Sequence, residues 1–231
     1  MLNNTIKVNY EVAKSPYKAK QLLDKISKYS HIAWDLETSV KYTDEEIEHW
    51  NNLIESDSLT KLERIHYQSK INATALMHPS HCRVTHCSIA TSQDTGYVFI
   101  FNNISVQNIV FNYLMSSKQT QILHNASYDL KFTEYFTGRY PDIIEDTEVL
   151  AKTIINHVEI QKARTRLKDL AGHMYGDWGI SSDYFTYKEM NNPKVIKYAA
   201  TDACATMWLW NYLQEQCDIL DKEIYENACN Y

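Results

Sequence analysis

The sequence has few residues that interrupt regular structure and no excess of positive charge. Its 231 residues include only five glycines and four prolines, and we find no internal repeat and no low-complexity linker. Lysine and arginine number 23 against 29 acidic residues, which gives a formal net charge of −6. This balance argues against a nucleic-acid-binding protein that acts through a broad basic surface. It leaves open binding of a strand end through a metal ion.

The sequence also lacks the signs of a membrane or secreted protein. No apolar run is long enough to span a bilayer, and residues 1–6 lack the layout of a signal peptide. Five cysteines are an odd number, and their spacing does not resemble a disulfide framework. We therefore expect a cytoplasmic protein with free thiols at Cys82, Cys87, Cys204, Cys217 and Cys229.

What is present is enough apolar sequence for one large domain over 1–231, since 44% of the residues are hydrophobic. Strand patterns alternate with helix patterns, and two of the strands form a predicted hairpin around residues 92–96. This order predicts an α/β fold with a mixed sheet. Predicted strands cover 6–12, 31–38, 83–91, 96–101, 121–124 and 143–144. Predicted helices follow Ser15-Pro16 and cover 106–114, 126–136, 147–156 and 193–213, and a further helix begins in 161–168 and ends near 172–176.

Residues 40–75 have a different character and predict a helical insertion. Thr43 and Glu46 form a capping-box pattern ahead of an apolar stripe that includes Trp50. A second helix pattern after 56–58 places Leu59, Leu62 and Ile65 on one side. The insertion either packs on the flank of the domain or forms a lid or a partner surface.

The strand 31–38 carries two acidic residues on one face. Strand alternation places Asp35 and Glu37 together, with Trp34 and Leu36 on the opposite face. Two carboxylates held close together repel each other, and a hard divalent cation with oxygen ligands relieves that repulsion. A strand end with two solvated acids is the simpler interpretation of this pattern taken alone.

Two later segments repeat the spacing of an acid and a polar partner. Asn125 and Asp129 are four residues apart at a predicted helix start, and Tyr198 and Asp202 are four apart on the last helix. Residues at this spacing share one helix face. Each pair alone is also explained as ordinary helix structure.

Taken in order, these segments resemble the three motifs of the DEDD superfamily of 3′-5′ exonucleases. The matching strings are AWDLET (33–38), HNASYDLKF (124–132) and KYAATD (197–202), and the resemblance extends over roughly residues 20–215. The proofreading domain of family A DNA polymerases is most similar. Tyr198 marks the tyrosine branch, because Lys197 stands where the other branch has histidine. The resemblance implies a ribonuclease H-like mixed sheet flanked by helices.

The resemblance also implies the cofactors and the site. Two Mg²⁺ or Mn²⁺ ions would act on the phosphodiester, with Asp35 shared between them. Glu37 and Asp202 would serve the ion that activates water, Asp129 would serve the other ion, and Tyr198 would orient the water. The implied substrate contacts near the terminal nucleotide are Thr38, Asn125 and Leu36.

Three other features have two interpretations each. The basic residues Lys162, Arg164, Arg166 and Lys168 either follow substrate phosphates or form a solvated helix start. Asp146 matches an acid of the family and also suits a helix N-cap. A zinc site is the less favoured interpretation of His78, His81, Cys82, His86 and Cys87, because alternation separates the last two.

The expected function is 3′-5′ exonuclease activity on single-stranded DNA or a frayed 3′ end. Because the sequence stops at Tyr231, we expect a freestanding proofreading or DNA-processing enzyme of a phage or bacterium. A separate DNA polymerase or replisome protein would be its partner, with the insertion as docking surface. The alternatives are a ribonuclease D-type RNA exonuclease and a catalytically silent interaction module. The intact acids argue against the silent module.

Overall fold

The computed structural model describes residues 5–56, 58–154, 165–180 and 184–229, with side chains up to Asp218. Within this part, strands and helices alternate as predicted. The strands are β1 (Asn9–Ala13), β2 (His31–Val40), β3 (Cys82–Ser92), β4 (Thr95–Ile100), β5 (Thr120–Leu123) and β6 (Ile144–Asp146). The helices are α1 (Pro16–Ile26), α2 (Asp44–Glu55), α3 (Lys61–Ala75), α4 (Ile104–Ser116), α5 (Ala126–Thr137), α6 (Thr147–Ile154), α7 (Leu167–Tyr175) and α8 (Pro193–Cys229).

The six strands form one mixed sheet in the order β1-β4-β3-β2-β5-β6. β3 pairs antiparallel with both β2 and β4, whereas β1 pairs parallel with β4, and β5 and β6 extend the sheet in parallel on the other side. The predicted α/β class, mixed sheet and hairpin are confirmed. β2 is central, and it is longer than β5, so one of its edges is free of a strand partner beyond Ala33.

The alternation predicted for β2 is present. Trp34 and Leu36 are buried in the core with side chains of α1, α4 and α5, whereas Ala33 packs on the opposite face with α7 and α8. The Trp34 indole donates a hydrogen bond of 2.8 Å to the amide oxygen of Gln121 on β5, which satisfies a buried polar group. Asp35 therefore points to the α8 side of the sheet.

The inner face of α8, which packs on the sheet, carries small residues. Ala199, Ala200 and Ala203 are fully buried. Gly96 on β4 faces them, and a Cβ at this glycine would lie 3.3 Å from the Cys204 sulfur. Small residues on both surfaces thus set the height of α8 above the strands.

The helix starts follow local sequence signals. Ser15 accepts a hydrogen bond from the Lys18 backbone with Pro16 in the first turn, and Thr43 forms the predicted capping box. α3 corrects the prediction for the second insertion helix. It begins at Lys61 with a further capping box at Thr60 instead of directly after residues 56–58.

The side of α3 predicted to pack is exposed. Leu62 and Ile65 are 79% and 56% exposed. The helix is instead held by Arg64, whose guanidinium donates to the carbonyl oxygens of Ile54 and Ser56 at the end of α2. The helical insertion itself is confirmed, but its second helix contacts α2 through Arg64 and through Tyr67, whose ring lies against Trp50, rather than through the predicted apolar side.

Asn125 occupies the N-cap position of α5 without capping it. Its backbone is left-handed, with φ of 59°, and its side chain accepts from the Ser127 hydroxyl at 3.0 Å but from no backbone N–H of the helix. The cap comes from Asp146, which accepts from the backbone N–H groups of Asn125 and Ala126 at 3.1 and 2.8 Å. The same carboxylate caps α6 through Glu148, as predicted, so one residue serves two helices.

Other bounds differ from the predictions in ordinary ways. α8 extends past the predicted end at residue 213. The predicted residues 155–156 and 161–164 lie outside the described residues.

No described helix has the length and hydropathy to cross a bilayer. Cys82, Cys87, Cys204 and Cys217 are free thiols.

Candidate active site

Three elements bring the predicted acids to one place. β2 supplies Asp35 and Glu37, α8 supplies Asp202, and α5 supplies Asp129. One carboxylate oxygen from each of Asp35, Glu37 and Asp202 lies within 4.8 Å of the other two. In the described part of the chain this is the group of acidic, histidine or cysteine side chains whose geometry suits a metal ion.

Asp129 approaches from the free edge of β2. Its Oδ1 accepts a hydrogen bond of 3.0 Å from the backbone N–H of Leu36, which lies between the two motif acids. That N–H is available because β5 does not extend this far along β2. Asp129 is 2% exposed and lines the same cleft as Asp35.

The electrostatics of the cluster are unfavourable without cations. Burial raises the pKa of Asp35 and Glu37 well above the ordinary values, and the charges of the neighbouring acids raise both further. Burial also raises the pKa of Asp202, and it raises the pKa of Asp129 to about 8. The folded chain therefore holds four acids where their charged forms repel one another.

The donor set fits divalent metal ions. Oε1 of Glu37 is buried and has no hydrogen-bond partner, so one residue of the cluster carries a carboxylate oxygen with full acceptor capacity. All the donors are carboxylate oxygens, which Mg²⁺ and Mn²⁺ prefer. Two such ions, when bound, supply Lewis-acid stabilisation for the attacking and leaving oxygens of a phosphodiester.

Tyr198 lies beside the acids and is held by a lysine. The Lys168 ammonium donates a hydrogen bond of 2.6 Å to the Tyr198 hydroxyl, and the Phe185 ring contacts the Tyr198 ring edge to face at 5.2 Å. An ammonium has no acceptor, so the tyrosine oxygen accepts and its hydrogen can point to the acids or to water. Burial, followed by the charge of Asp202, raises the pKa of Tyr198 above its usual range, which keeps the phenol neutral.

A cleft of about 240 Å³ opens beside Asp35 and Asp129. Its other lining residues are His124, Asn125, Tyr128, Glu148, Arg166 and Leu167. The predicted substrate residue Thr38 is buried and does not line the cleft; its hydroxyl is 2.5 Å from the hydroxyl of Tyr128, which does. The cleft thus brings Asn125 and one member of the basic segment, Arg166, near the acids.

Leu36 does not fit its predicted role as a substrate contact. Its side chain is 3% exposed and packs in the core on the face opposite the acids. The strand alternation that directs Asp35 and Glu37 to the site directs Leu36 away from it. Only its backbone N–H serves the site, through Asp129. Lys162 and Arg164 lie outside the described residues.

Two side chains of the site were absent from the predicted site set. Lys168 was part of the basic segment, but its ammonium donates to Tyr198. Its positive charge lowers the pKa of Asp35, Glu37 and Asp202, although burial raises each of these pKa values by more. The Trp178 indole donates a hydrogen bond to Oδ1 of Asp202. No local sequence pattern marks either contact, because both join residues that are 24 or more positions apart.

The residues weighed for a zinc site serve other purposes. His86 is buried, and its two ring nitrogens bond to the Met190 carbonyl oxygen and the Thr85 hydroxyl. Burial lowers the pKa of His86 to about 4, so the ring is neutral. Cys87 is buried in the core. The zinc interpretation is therefore wrong for His86 and Cys87.

One family model matches the chain. It is described as 3′-5′ exonuclease (DNA_pol_A_exo1) and matches residues 74–218, more than half of the chain. The match includes Asp129, Tyr198 and Asp202, whereas Asp35 and Glu37 lie before its first residue. No curated protein sequence matches the chain.

Solved structures of nucleases share the fold at low identity. Brucella melitensis NrnC with bound Mg²⁺ is 17% identical with a TM-score of 0.56, covering 97% of this chain and 88% of its own. Escherichia coli RNase D, an exoribonuclease, is 14% identical with a TM-score of 0.57, covering 92% of this chain. The catalytic core of RRP6 from Trypanosoma brucei is 14% identical with a TM-score of 0.55, covering 89% of this chain. The chain spans 46% of the latter two structures.

Proposed function

The chain belongs to the 3′-5′ exonuclease family, and on this basis we propose that it removes nucleotides from the 3′ end of single-stranded DNA or a frayed DNA end. The observation that carries the proposal is the convergence of Asp35, Glu37, Asp129 and Asp202 beside Tyr198. These five residues come from three separate elements; burial raises the pKa of each carboxyl, and the charges of neighbouring acids raise the pKa of Asp35 and Glu37 further. Buried carboxylates placed together destabilise the folded protein when no cation is bound, and they are well suited to binding cations.

The chain's own residues have distinct proposed roles. Asp35 lies close to Glu37 and Asp202 and lines the same cleft as Asp129, so it would be the acid shared by two Mg²⁺ or Mn²⁺ ions. Glu37 and Asp202 would hold the ion that activates the attacking water, and Asp129 would hold the other ion. The family uses two divalent ions, and the all-carboxylate donor set fits them.

Tyr198 is proposed to orient the attacking water rather than to take its proton. Its raised pKa makes the phenolate inaccessible at neutral pH, so the neutral hydroxyl acts as a hydrogen-bond partner. Lys168 fixes the direction of that hydroxyl by donating to its oxygen. Asn125 is proposed to contact the terminal nucleotide in the cleft, and Arg166 a phosphate. Thr38 is proposed to act near the terminal nucleotide through its hydrogen bond with Tyr128, which lines the cleft.

An RNA substrate is the second candidate. Structural neighbours named RNase D and RRP6 favour it, although at 14% identity they indicate the fold alone. The metals act on a phosphodiester that DNA and RNA share, so the four acids suit both substrates. The family match to DNA_pol_A_exo1 supports the DNA proposal.

The setting is also proposed. A separate DNA polymerase or replisome protein is the proposed partner, and the cytoplasm of a bacterial cell or phage-infected host is the proposed location. The exposed Leu62 and Ile65 on α3 support the insertion as the docking surface.

The substrate test uses one sequence as DNA and as RNA, each 5′-labelled and single-stranded, with Mg²⁺ or Mn²⁺. A ladder of shortened products on DNA at the higher rate supports the proposal, and a faster ladder on RNA moves the enzyme to the ribonuclease candidate. Asp35→Ala is the control for contaminating nuclease, because it removes the shared acid. No ladder on either strand would refute both candidates.

A further inference from the structure

Trp178 joins the segment after α7 to the acids of the site. The residue is 7% exposed, and its indole Nε1–H donates to Oδ1 of Asp202, which is itself 8% exposed. The indole nitrogen is a donor only, so it cannot bind a metal ion. Its contact is therefore with a proposed metal ligand and not with the metal.

The position of Trp178 is built into the fold. Gly176 ends α7 with φ of +71°, a conformation that favours glycine and turns the chain back under α8. The Tyr175 ring contacts the Trp178 ring edge to face at 5.7 Å. The Tyr175 hydroxyl lies 2.9 Å from the Cys204 carbonyl oxygen, two residues after Asp202. Through Tyr175, these contacts fix the position of the Trp178 indole relative to the backbone of α8.

The two sides of the acid cluster are held differently. Asp202, on the side with Glu37, is oriented by the Trp178 indole. Asp129, on the cleft side, is oriented by the Leu36 backbone N–H. A side-chain substitution can remove the first hydrogen bond and leave the second intact. The structure therefore offers a way to perturb one side of the cluster alone.

We infer that Trp178 is a positioning residue that sets the affinity of the metal position formed with Glu37 and Asp202. By occupying a lone pair of Oδ1, the indole fixes the plane of the carboxylate with an oxygen toward Asp35 and Glu37. Hydrogen-bonding partners of metal ligands typically change metal affinity by about 10- to 100-fold when removed. The inference rests on the proposed metal-dependent function and adds a residue to it.

The test compares Trp178→Phe with Trp50→Phe by calorimetric titration of the purified protein with Mn²⁺. Trp50 is also a buried tryptophan, at 8% exposure, but lies in the insertion on α2. We expect Trp178→Phe to bind one of two Mn²⁺ ions about 10- to 100-fold more weakly and the other with unchanged affinity. Trp50→Phe should bind both ions as the wild type does. Equal weakening of both ions, or of neither, in Trp178→Phe would overturn the inference.

A second measurement leaves the sequence intact. In ¹⁵N-labelled wild-type protein, the indole N–H resonance of Trp178 should shift as Mg²⁺ is added, while that of Trp50 stays in place. A Trp178 resonance that does not move while the protein binds Mg²⁺ and hydrolyses substrate would refute the inference alone. A wild type that binds no Mg²⁺ and hydrolyses neither strand would refute the proposed function.

Discussion

Neutralising one acid of the site should stabilise the metal-free protein. In Asp129→Asn the amide oxygen can still accept the 3.0 Å hydrogen bond from the Leu36 N–H, so the shape and this contact are kept while the charge is lost. The wild-type carboxyl has its pKa raised from 3.8 to about 8 by burial. The variant therefore removes a charge that folding places in an unfavourable environment.

The magnitude follows from the pKa. Each unit of pKa shift corresponds to about 1.4 kcal/mol, so a shift from 3.8 to about 8 sets an upper limit near 6 kcal/mol. Asp35, Glu37 and Asp202 share the repulsion and relax when one charge is absent. We expect a net gain of about 1–2 kcal/mol at pH 8, which raises the melting temperature by roughly 2–8 °C for a domain of this size.

The size of the stability gain in Asp129→Asn depends on pH in a defined way. A carboxyl with a raised folded-state pKa destabilises the fold only above its unfolded pKa, and the penalty grows as the pH rises from about 4 to about 8. At pH 5 the advantage of Asp129→Asn should be about a third of its value at pH 8. Melting in EDTA at both pH values, with the exposed Asp24→Asn as control, measures this difference. A variant that is less stable than wild type at pH 8, or whose advantage does not change with pH, would refute the reasoning.

Three further predictions concern other parts of the structure. Lys168→Met should lower kcat about tenfold, because Tyr198 loses one partly exposed hydrogen bond. In a Tyr198→Phe background the same substitution should have little further effect, and additive losses would show that Lys168 acts independently of Tyr198. Asp146→Ala should lower the free energy of unfolding in urea by about 2 kcal/mol because two helices lose their cap, with Asp146→Asn intermediate; an unchanged midpoint for Asp146→Ala would contradict this. Gly96→Val should destabilise the fold by about 1–3 kcal/mol, because its side chain meets the Cys204 sulfur. Partial recovery in a Cys204→Ala background would identify that contact, and an equal loss in both backgrounds would exclude it.

The elements governed by local sequence were predictable. The caps at Ser15 and Thr43 depend on residues within one helical turn, and the structure has both. The alternation of β2 placed Trp34 in the core and Asp35 on the other face, as the structure shows. The ordered motifs also indicated which acids lie together, since Asp202 meets the β2 acids in the folded chain.

What could not be predicted depends on where distant segments meet. Lys168 appears in a basic run, and only the packing of α7 against α8 turns it toward Tyr198. Trp178 looks like any core aromatic until the turn at Gly176 directs its indole to α8. Leu62 is apolar and helical in pattern, yet it is exposed, because periodicity shows that a helix has an apolar side without showing what covers it.

The central claim is that the carboxylate cluster hydrolyses nucleic acid from the 3′ end with divalent metal. The most direct measurement follows one single strand labelled at its 5′ end in one sample and at its 3′ end in another, with wild type and Glu37→Gln, in Mg²⁺ and in EDTA. We predict a ladder from the 5′ label and immediate release of a labelled mononucleotide from the 3′ label, both abolished by EDTA and by Glu37→Gln. Release of mononucleotide from the 5′ label first, internal cuts, or activity that persists in EDTA would contradict the account.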